Sequence, residues 1–171
     1  MVIPMHYLNR QFKLSTSKNH DEFFTAQGFS RCHLFYRNKL SDLRGGFLNL
    51  EPATYGLTYV LNARIHGKDR EMKFLPGQQI RGIGFNGKPV EISFTMEGDY
   101  LKEVHIPVEK SRKRRRPDCV YYNVVGGTLI VRAFFYPADP TLHPIVWERR
   151  YITSDPILEK EEFRDQFDEM L

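Results

Sequence analysis

The stretch Cys119 to Tyr136, CVYYNVVGGTLIVRAFFY, consists of two β-branched and aromatic runs on either side of Gly126-Gly127. Such residues suit a pleated, half-buried surface, and a glycine pair between two such runs supplies the backbone freedom of a tight turn, so the stretch reads as a β-hairpin. Phe134, Phe135 and Tyr136 are consecutive, so their side chains alternate and cannot all face one side. Working upstream, TYGLTYVLNARIHG (54–67), QQIRGIGF (78–85), PVEISFTM (89–96) and YLKEVHIPVE (100–109) have the same character. Their separators, His66-Gly67-Lys68-Asp69, Asn86-Gly87-Lys88-Pro89 and Glu97-Gly98-Asp99, each carry a turn glycine. Most of the chain therefore reads as antiparallel sheet.

The flanks carry helix signals. NHDEFFTAQG (19–28) offers Asn19 or Asp21 as an N-cap, an acidic first turn and Gly28 as a stop, and predicts a short helix. RCHLFYRN (31–38) reads as a strand and KLSDLRGG (39–46) as a helical turn. At the far end Asp155-Pro156 opens a helix on which Leu158, Phe163, Phe167, Met170 and Leu171 can share one face. The fold class expected is α+β, a twisted antiparallel sheet packed against a few helices, including that C-terminal one. The expected organisation is an exposed N-terminal arm (1–8) and a single globular domain (9–171) with an exposed basic loop at 109–118.

The 171 residues suffice for one domain with a real core, and 41% are apolar. Cys32 and Cys119 stand far apart without metal-ligand spacing, so neither a disulfide framework nor a zinc site is indicated and a reducing compartment is expected. No run approaches the roughly 20 apolar residues of a spanning helix, and no secretory leader pattern is present. The formal charge is +4, yet Lys110, Arg112, Lys113, Arg114, Arg115 and Arg116 hold six of the 25 basic residues; the remaining 19 face 21 acidic ones. The basic character is local. Such a run favours an exposed loop that meets a polyanion: an anionic lipid surface, a nucleic acid or nucleoprotein, or a nuclear-import receptor.

No phosphate loop, dinucleotide glycine motif, nucleophile elbow or HExxH is present, and no enzyme activity or cofactor is expected. The scattered acid and base candidates are His105, Asp139, His143 and Glu148. His105 in its amphipathic strand and His143 in a proline-bounded loop read as solvated residues. The basic run could lower the Cys119 pKa, but Cys119 reads first as a buried strand cysteine. Trp147 reads as core.

Arg115-Arg116-Pro117, the strand that follows, Gly127-Thr128-Leu129, Tyr136 and Pro144-Ile145-Val146-Trp147-Glu148 form an ordered set that resembles the C-terminal half of rhabdovirus matrix proteins. Glu97-Gly98, Tyr100-Leu101 and Pro107-Val108-Glu109 extend the resemblance upstream, to roughly residues 97–150. The Pro-Pro-x-Tyr budding signal of many such proteins is lacking, as in a short plant-rhabdovirus type. The resemblance implies a viral structural protein that self-associates and links the nucleocapsid to the inner face of the envelope or host membrane during assembly and budding. Its implied partners are further copies of itself, nucleocapsid and anionic membrane lipids, with no small-molecule substrate. Its implied locations are the virion beneath the envelope, the host cytoplasm and inner membrane surface, and the host nucleus if the basic loop is an import signal. Self-association is expected through Val2, Ile3, Pro4 and Met5 of the arm and through Phe85, Pro89 and Val90 of a loop. The alternative is a nuclear-imported, nucleic-acid-binding or regulatory β-rich protein. A small β-barrel enzyme or ligand carrier with an interior site ranks third.

Overall fold

The computed structural model of the chain describes residues 2–30, 45–53, 57–109 and 116–154. After β1 (Gln11–Lys18) comes the helix α1 (His20–Ala26). There follow β2 (Phe47–Pro52), β3 (Tyr59–Ile65), β4 (Lys68–Phe74), β5 (Gln79–Ile83) and β6 (Pro89–Glu97). The second half contributes β7 (Tyr100–Pro107), β8 (Asp118–Val125), β9 (Thr128–Phe135) and β10 (Ile145–Ser154). All pairings are antiparallel, in the order β4-β3-β2-β1-β10-β9-β8-β7-β6-β5. The first strand pairs with the last, Gln11 opposite Ser154 and Leu14 opposite Tyr151, with a bulge between Leu14 and Thr16. The sheet thus curls on itself into a nearly closed barrel.

This corrects the expected α+β architecture. Among the described residues there is one short α-helix, besides a 3-10 turn at Met5–Tyr7, and the fold is mostly β. The reason is geometric: a long sheet with one apolar face can bury that face by rolling it inward, so no layer of helices is needed. The expected C-terminal helix, the strand at 31–38, the helical turn up to residue 44 and the basic residues 110–115 lie outside the described residues.

The hairpin from which the reading started is present. Val125 faces Thr128 across a two-residue turn, and Gly126 and Gly127 take φ of 53° and 75°. Positive φ at both central positions matches the right-handed twist of the flanking strands and favours glycine there. The helix at 19–28 is also present, with Asn19 at its N-cap position, Asp21 and Glu22 in its first turn and Gly28 beyond its end at φ 94°.

Alternation along the strands sets the interior. Leu48 and Leu50 of β2, Leu61 and Ala63 of β3, Ile92 and Phe94 of β6, and Leu129, Val131 and Ala133 of β9 are all buried. The two ends of the barrel are closed differently. At the end holding the β6–β7 turn, Ile3, Tyr7 and Leu8 are buried; the Ile3 N–H donates to the Tyr59 hydroxyl at 3.1 Å, and the Tyr7 hydroxyl lies 2.6 Å from the Asp99 carbonyl. The segment expected to be an exposed arm therefore packs into its own chain, with Val2 and Met5 left outside. At the opposite end α1 lies across the opening.

β4 and β5 are consecutive in sequence yet form the two edges of the sheet. Across this seam Phe74 of β4 stacks on Phe94 of β6 with ring centroids 4.0 Å apart, and in the connection from β4 to β5 the Gly77 N–H donates to the Phe94 carbonyl at 2.8 Å.

Candidate functional site

Three strands turn polar side chains into this apolar interior. On β7 the inward residues are Leu101, Glu103 and His105; on β8 they include Val120 and Tyr122; on β10 they are Trp147, Arg149 and Tyr151. Glu103, His105 and Arg149 are each no more than 4% exposed. His105 Nε2 lies 2.5 Å from Glu103 Oε1, and the Tyr122 hydroxyl donates to Glu103 Oε2. Arg149 donates from Nη1 to the Tyr151 hydroxyl at 3.2 Å, and its guanidinium carbon sits 4.0 Å from the centre of the Trp147 ring. A cation over an indole face is attracted by the ring quadrupole, the more so where water is excluded.

The electrostatics follow from burial. Desolvation pushes the Glu103 carboxyl up, but His105, the Tyr122 hydrogen bond and the charge of Arg149 together outweigh it, so the group is held below the usual carboxylate range. For Tyr122 the same burial, reinforced by the adjacent Glu103 charge, raises the phenol well above its ordinary value, and it stays a neutral donor. Among the described residues, two buried polar atoms of the cluster, His105 Nδ1 and Arg149 Nε, find no hydrogen-bond partner. Native interiors satisfy nearly all such atoms, so both are places where a water molecule or a polar ligand group would be bound.

The cavity is lined by the cluster residues Glu103, His105, Tyr122 and Arg149 and by apolar side chains that include Leu61, Phe85 and Ile92. Its volume is about 30 Å³, room for a water molecule or two. The lid is aromatic. Phe23 and Phe24 of α1 are buried; Phe23 meets Phe85 and Trp147 at centroid distances of 5.3 and 5.8 Å, and Phe24 meets Trp147 at 5.1 Å. His20 of α1 and His66 of the β3–β4 turn approach through their Nε2 atoms at 2.7 Å.

The sequence-derived candidates separate in space. His105 is buried in the cluster, against the expectation of a solvated strand residue, whereas His143 is exposed in the β9–β10 loop. Asp139 binds the Thr141 hydroxyl and amide in that loop, and Glu148 points outward from β10 between Arg132 and Arg150. These four do not form one constellation. Trp147 is core, as expected, with its Nε1 donating to Ser17 Oγ at 2.8 Å. Cys119 is half-buried on β8, and burial raises its thiol pKa rather than the basic run lowering it. Of the basic run only Arg116 falls within the described residues, its guanidinium 5.9 Å from the centre of the Tyr136 ring. Of the proposed contact loop, Phe85 packs on the core and stacks on His105, Val90 is buried and Pro89 is exposed. Glu103, Tyr122, Arg149 and Tyr151 were not singled out by sequence, although parity marks them: Glu103 falls in step with Leu101, and Arg149 with Trp147 and Tyr151.

Among the described residues no group of three or more His, Cys, Asp or Glu side chains could hold a metal ion, and no helix is long and apolar enough to cross a membrane. The chain matches no family model and no curated protein by sequence. By structure it is similar to lipid binding protein 8 of Caenorhabditis elegans, with a TM-score of 0.67 at 14% identity over 90% of this chain and 99% of that one. It is similar to As-p18, an extracellular fatty acid binding protein, with a TM-score of 0.69 at 19% identity over 90% and 100% of the two chains. Fatty-acid-binding protein 1 of Echinococcus granulosus gives a TM-score of 0.67 at 16% identity over 89% and 100%.

These likenesses overturn the resemblance to rhabdovirus matrix proteins, and with it the assembly and budding role and the nucleocapsid partner; the nucleic-acid-binding alternative gains no support either. The motifs behind the matrix reading, a Gly-Thr turn and a Pro-aliphatic-Trp strand, are here the β8–β9 turn and the start of β10, ordinary parts of an antiparallel sheet. What the comparisons establish is the architecture: the chain has the fold of the fatty-acid-binding proteins.

Proposed function

We infer that the chain is a non-enzymatic carrier that holds an amphiphilic lipid inside the barrel, headgroup on the Glu103–His105–Tyr122–Arg149 cluster and chain along the apolar interior. The earlier exclusion of a small-molecule ligand is withdrawn. The observation that carries this reading is the pair of unpartnered buried polar atoms, His105 Nδ1 and Arg149 Nε, on the wall of an otherwise apolar cavity. The names of the structural neighbours, lipid- and fatty-acid-binding proteins, support it. An apolar pocket with a few convergent polar groups is the usual form of a small-molecule site.

The small cavity favours a second reading, a barrel filled by its own aromatic side chains and serving as a structural or docking module. One experiment separates them. The delipidated protein is titrated with an environment-sensitive apolar fluorophore, and long-chain amphiphiles are used to displace it. The carrier reading expects saturable binding of one fluorophore per chain, competitive displacement, and loss of that binding when Ala63 or Ile92, both on the cavity wall, is replaced by Trp. Absence of saturable binding establishes the filled barrel instead.

A further inference from the structure

We propose that this barrel is built for a medium-chain amphiphile, of roughly eight to ten carbons, because a floor of buried side chains that includes Phe94 confines the ligand to the half of the interior beneath α1. The inference rests on the carrier reading and names the length class of its ligand.

The first support is a boundary that recurs from strand to strand. On β3 the cavity wall takes in Ile65, Ala63 and Leu61 and stops before Tyr59, the next inward residue. The same step runs from Met72 to Phe74 on β4, from Ile92 to Phe94 on β6, from Glu103 to Leu101 on β7 and from Arg149 to Tyr151 on β10. Each second member lies toward the end that Ile3 and Tyr7 close. None of these five floor residues is more than 4% exposed.

The second support is where the interior has room to give. Tyr59, Phe74 and Phe94 stack in series, with ring centroids 5.9 and 4.0 Å apart. The Ile3 N–H holds the Tyr59 hydroxyl, and the Tyr7 hydroxyl donates to the carbonyls of Asp99 and Tyr122, so the N-terminal segment backs the floor. The stack also pins the closed half of the seam between β4 and β5. Toward α1 the wall is looser: Ile65, Met72 and Phe85 are partly buried, and Arg70 of β4 and Ile83 of β5 are exposed. An unbranched methionine there repacks at low cost. A guest larger than the present cavity therefore gains its space above the floor, where close packing is already relaxed.

The depth above the floor sets the length. Leu61 to Ile65 is about 13 Å of strand, and somewhat less along the axis because barrel strands tilt. An extended chain of roughly eight to ten carbons fills it. A longer chain still binds, but its surplus passes the exposed rim and removes little further apolar surface from water.

The test uses the full chain, delipidated. Hexanoate, octanoate, decanoate, dodecanoate and palmitate, and the matching alcohols so that headgroup preference does not intrude, compete for one bound apolar fluorophore. Wild type is expected to gain about fourfold in affinity per methylene up to the ten-carbon member. From there to the palmitate-length member the total gain is expected to stay below about tenfold, against roughly a thousandfold or more if every methylene were buried. In Phe94→Ala the floor is breached beside Phe74, and the rise is expected to run on, with dodecanoate about tenfold or more above decanoate. Phe94→Leu, closer in volume, is expected to shift the break in the same direction if Phe94→Ala does not fold, as judged by circular dichroism. Affinity that climbs at a constant rate through palmitate in wild type overturns the proposal and leaves the carrier reading standing. Binding of no member of either series overturns both. A break that stays in place in a folded Phe94 variant removes Phe94 from its role, and if neither variant folds the wild-type series alone decides the length class.

Discussion

The inner and outer faces of the β7–β10 wall each carry a carboxylate held below its ordinary range, and the two illustrate different physics. On the outside, Glu148 accepts from Arg132 Nε at 2.8 Å and from Arg150 Nε at 2.9 Å, and these hydrogen bonds lower its pKa. The arginines there are 40% and 46% exposed, so water competes for every contact. On the inside, Glu103 is lowered although desolvation is the largest influence on it and acts upward. The outer carboxylate is comfortable with or without its partners. The inner one is tolerable because three groups were built around it.

The comparison breaks most sharply at Arg149. Arg149→Met retains apolar bulk under Trp147 but removes a buried cation whose charge helps hold Glu103 low, and unfolding in urea should show a loss of about 3 kcal/mol, the low end of the cost of taking an opposite charge away from a buried ion. A loss below about 1 kcal/mol, the size of a surface pair, would place Arg149 in effective contact with water and erase the distinction between the faces. Tyr122→Phe comes next. It deletes the hydroxyl that binds a buried anion and should cost about 2 kcal/mol by the same measurement.

The acid limb of the stability profile sharpens the contrast further. Because the folded-state pKa of Glu103 lies below its unfolded value, the stability it contributes is fully present above the unfolded value of about 4.3. That contribution is lost as pH falls through the lower folded value. Urea midpoints taken from neutral pH downward should therefore fall more steeply in wild type than in Glu103→Gln. The smallest effect belongs to the outside: Glu148→Gln should change the unfolding free energy by less than about 1 kcal/mol, and that change should shrink in salt. An equal or larger loss than for Tyr122→Phe would reverse the ranking.

Much of the wall was legible in the sequence. Alternating β-branched and aromatic runs with turn glycines mark β3 and β5 to β9, because sheet periodicity and turn chemistry are local properties; β4 (Lys68–Phe74), charged at five of its seven positions, carries no such run and its first residues read as a turn. Closure was not legible. Whether β1 meets β10 depends on curvature summed over ten strands and on the bulge between Leu14 and Thr16, neither of which leaves a local motif. The cluster was half legible: His105 was picked out for its chemistry and then assigned to solvent, because a strand with lysine and glutamate at Lys102 and Glu103 looked amphipathic in the ordinary sense. Its apolar parity, Leu101 with His105, puts Glu103 on the inside, and the same test applied to Trp147 and Tyr151 finds Arg149. The basic run drew attention because it is conspicuous, whereas single charges at inward positions are not.

The seam between β4 and β5 bears on where so full a barrel yields first. Every other strand is zipped to both neighbours, so separating any of those pairs means breaking main-chain bonds in series. Between β4 and β5 there is no strand ladder, and the stack of Phe74 on Phe94 holds this line of the wall by side chains instead. A wall sewn in this way gives first along that one line while the rest of the cloth stays whole.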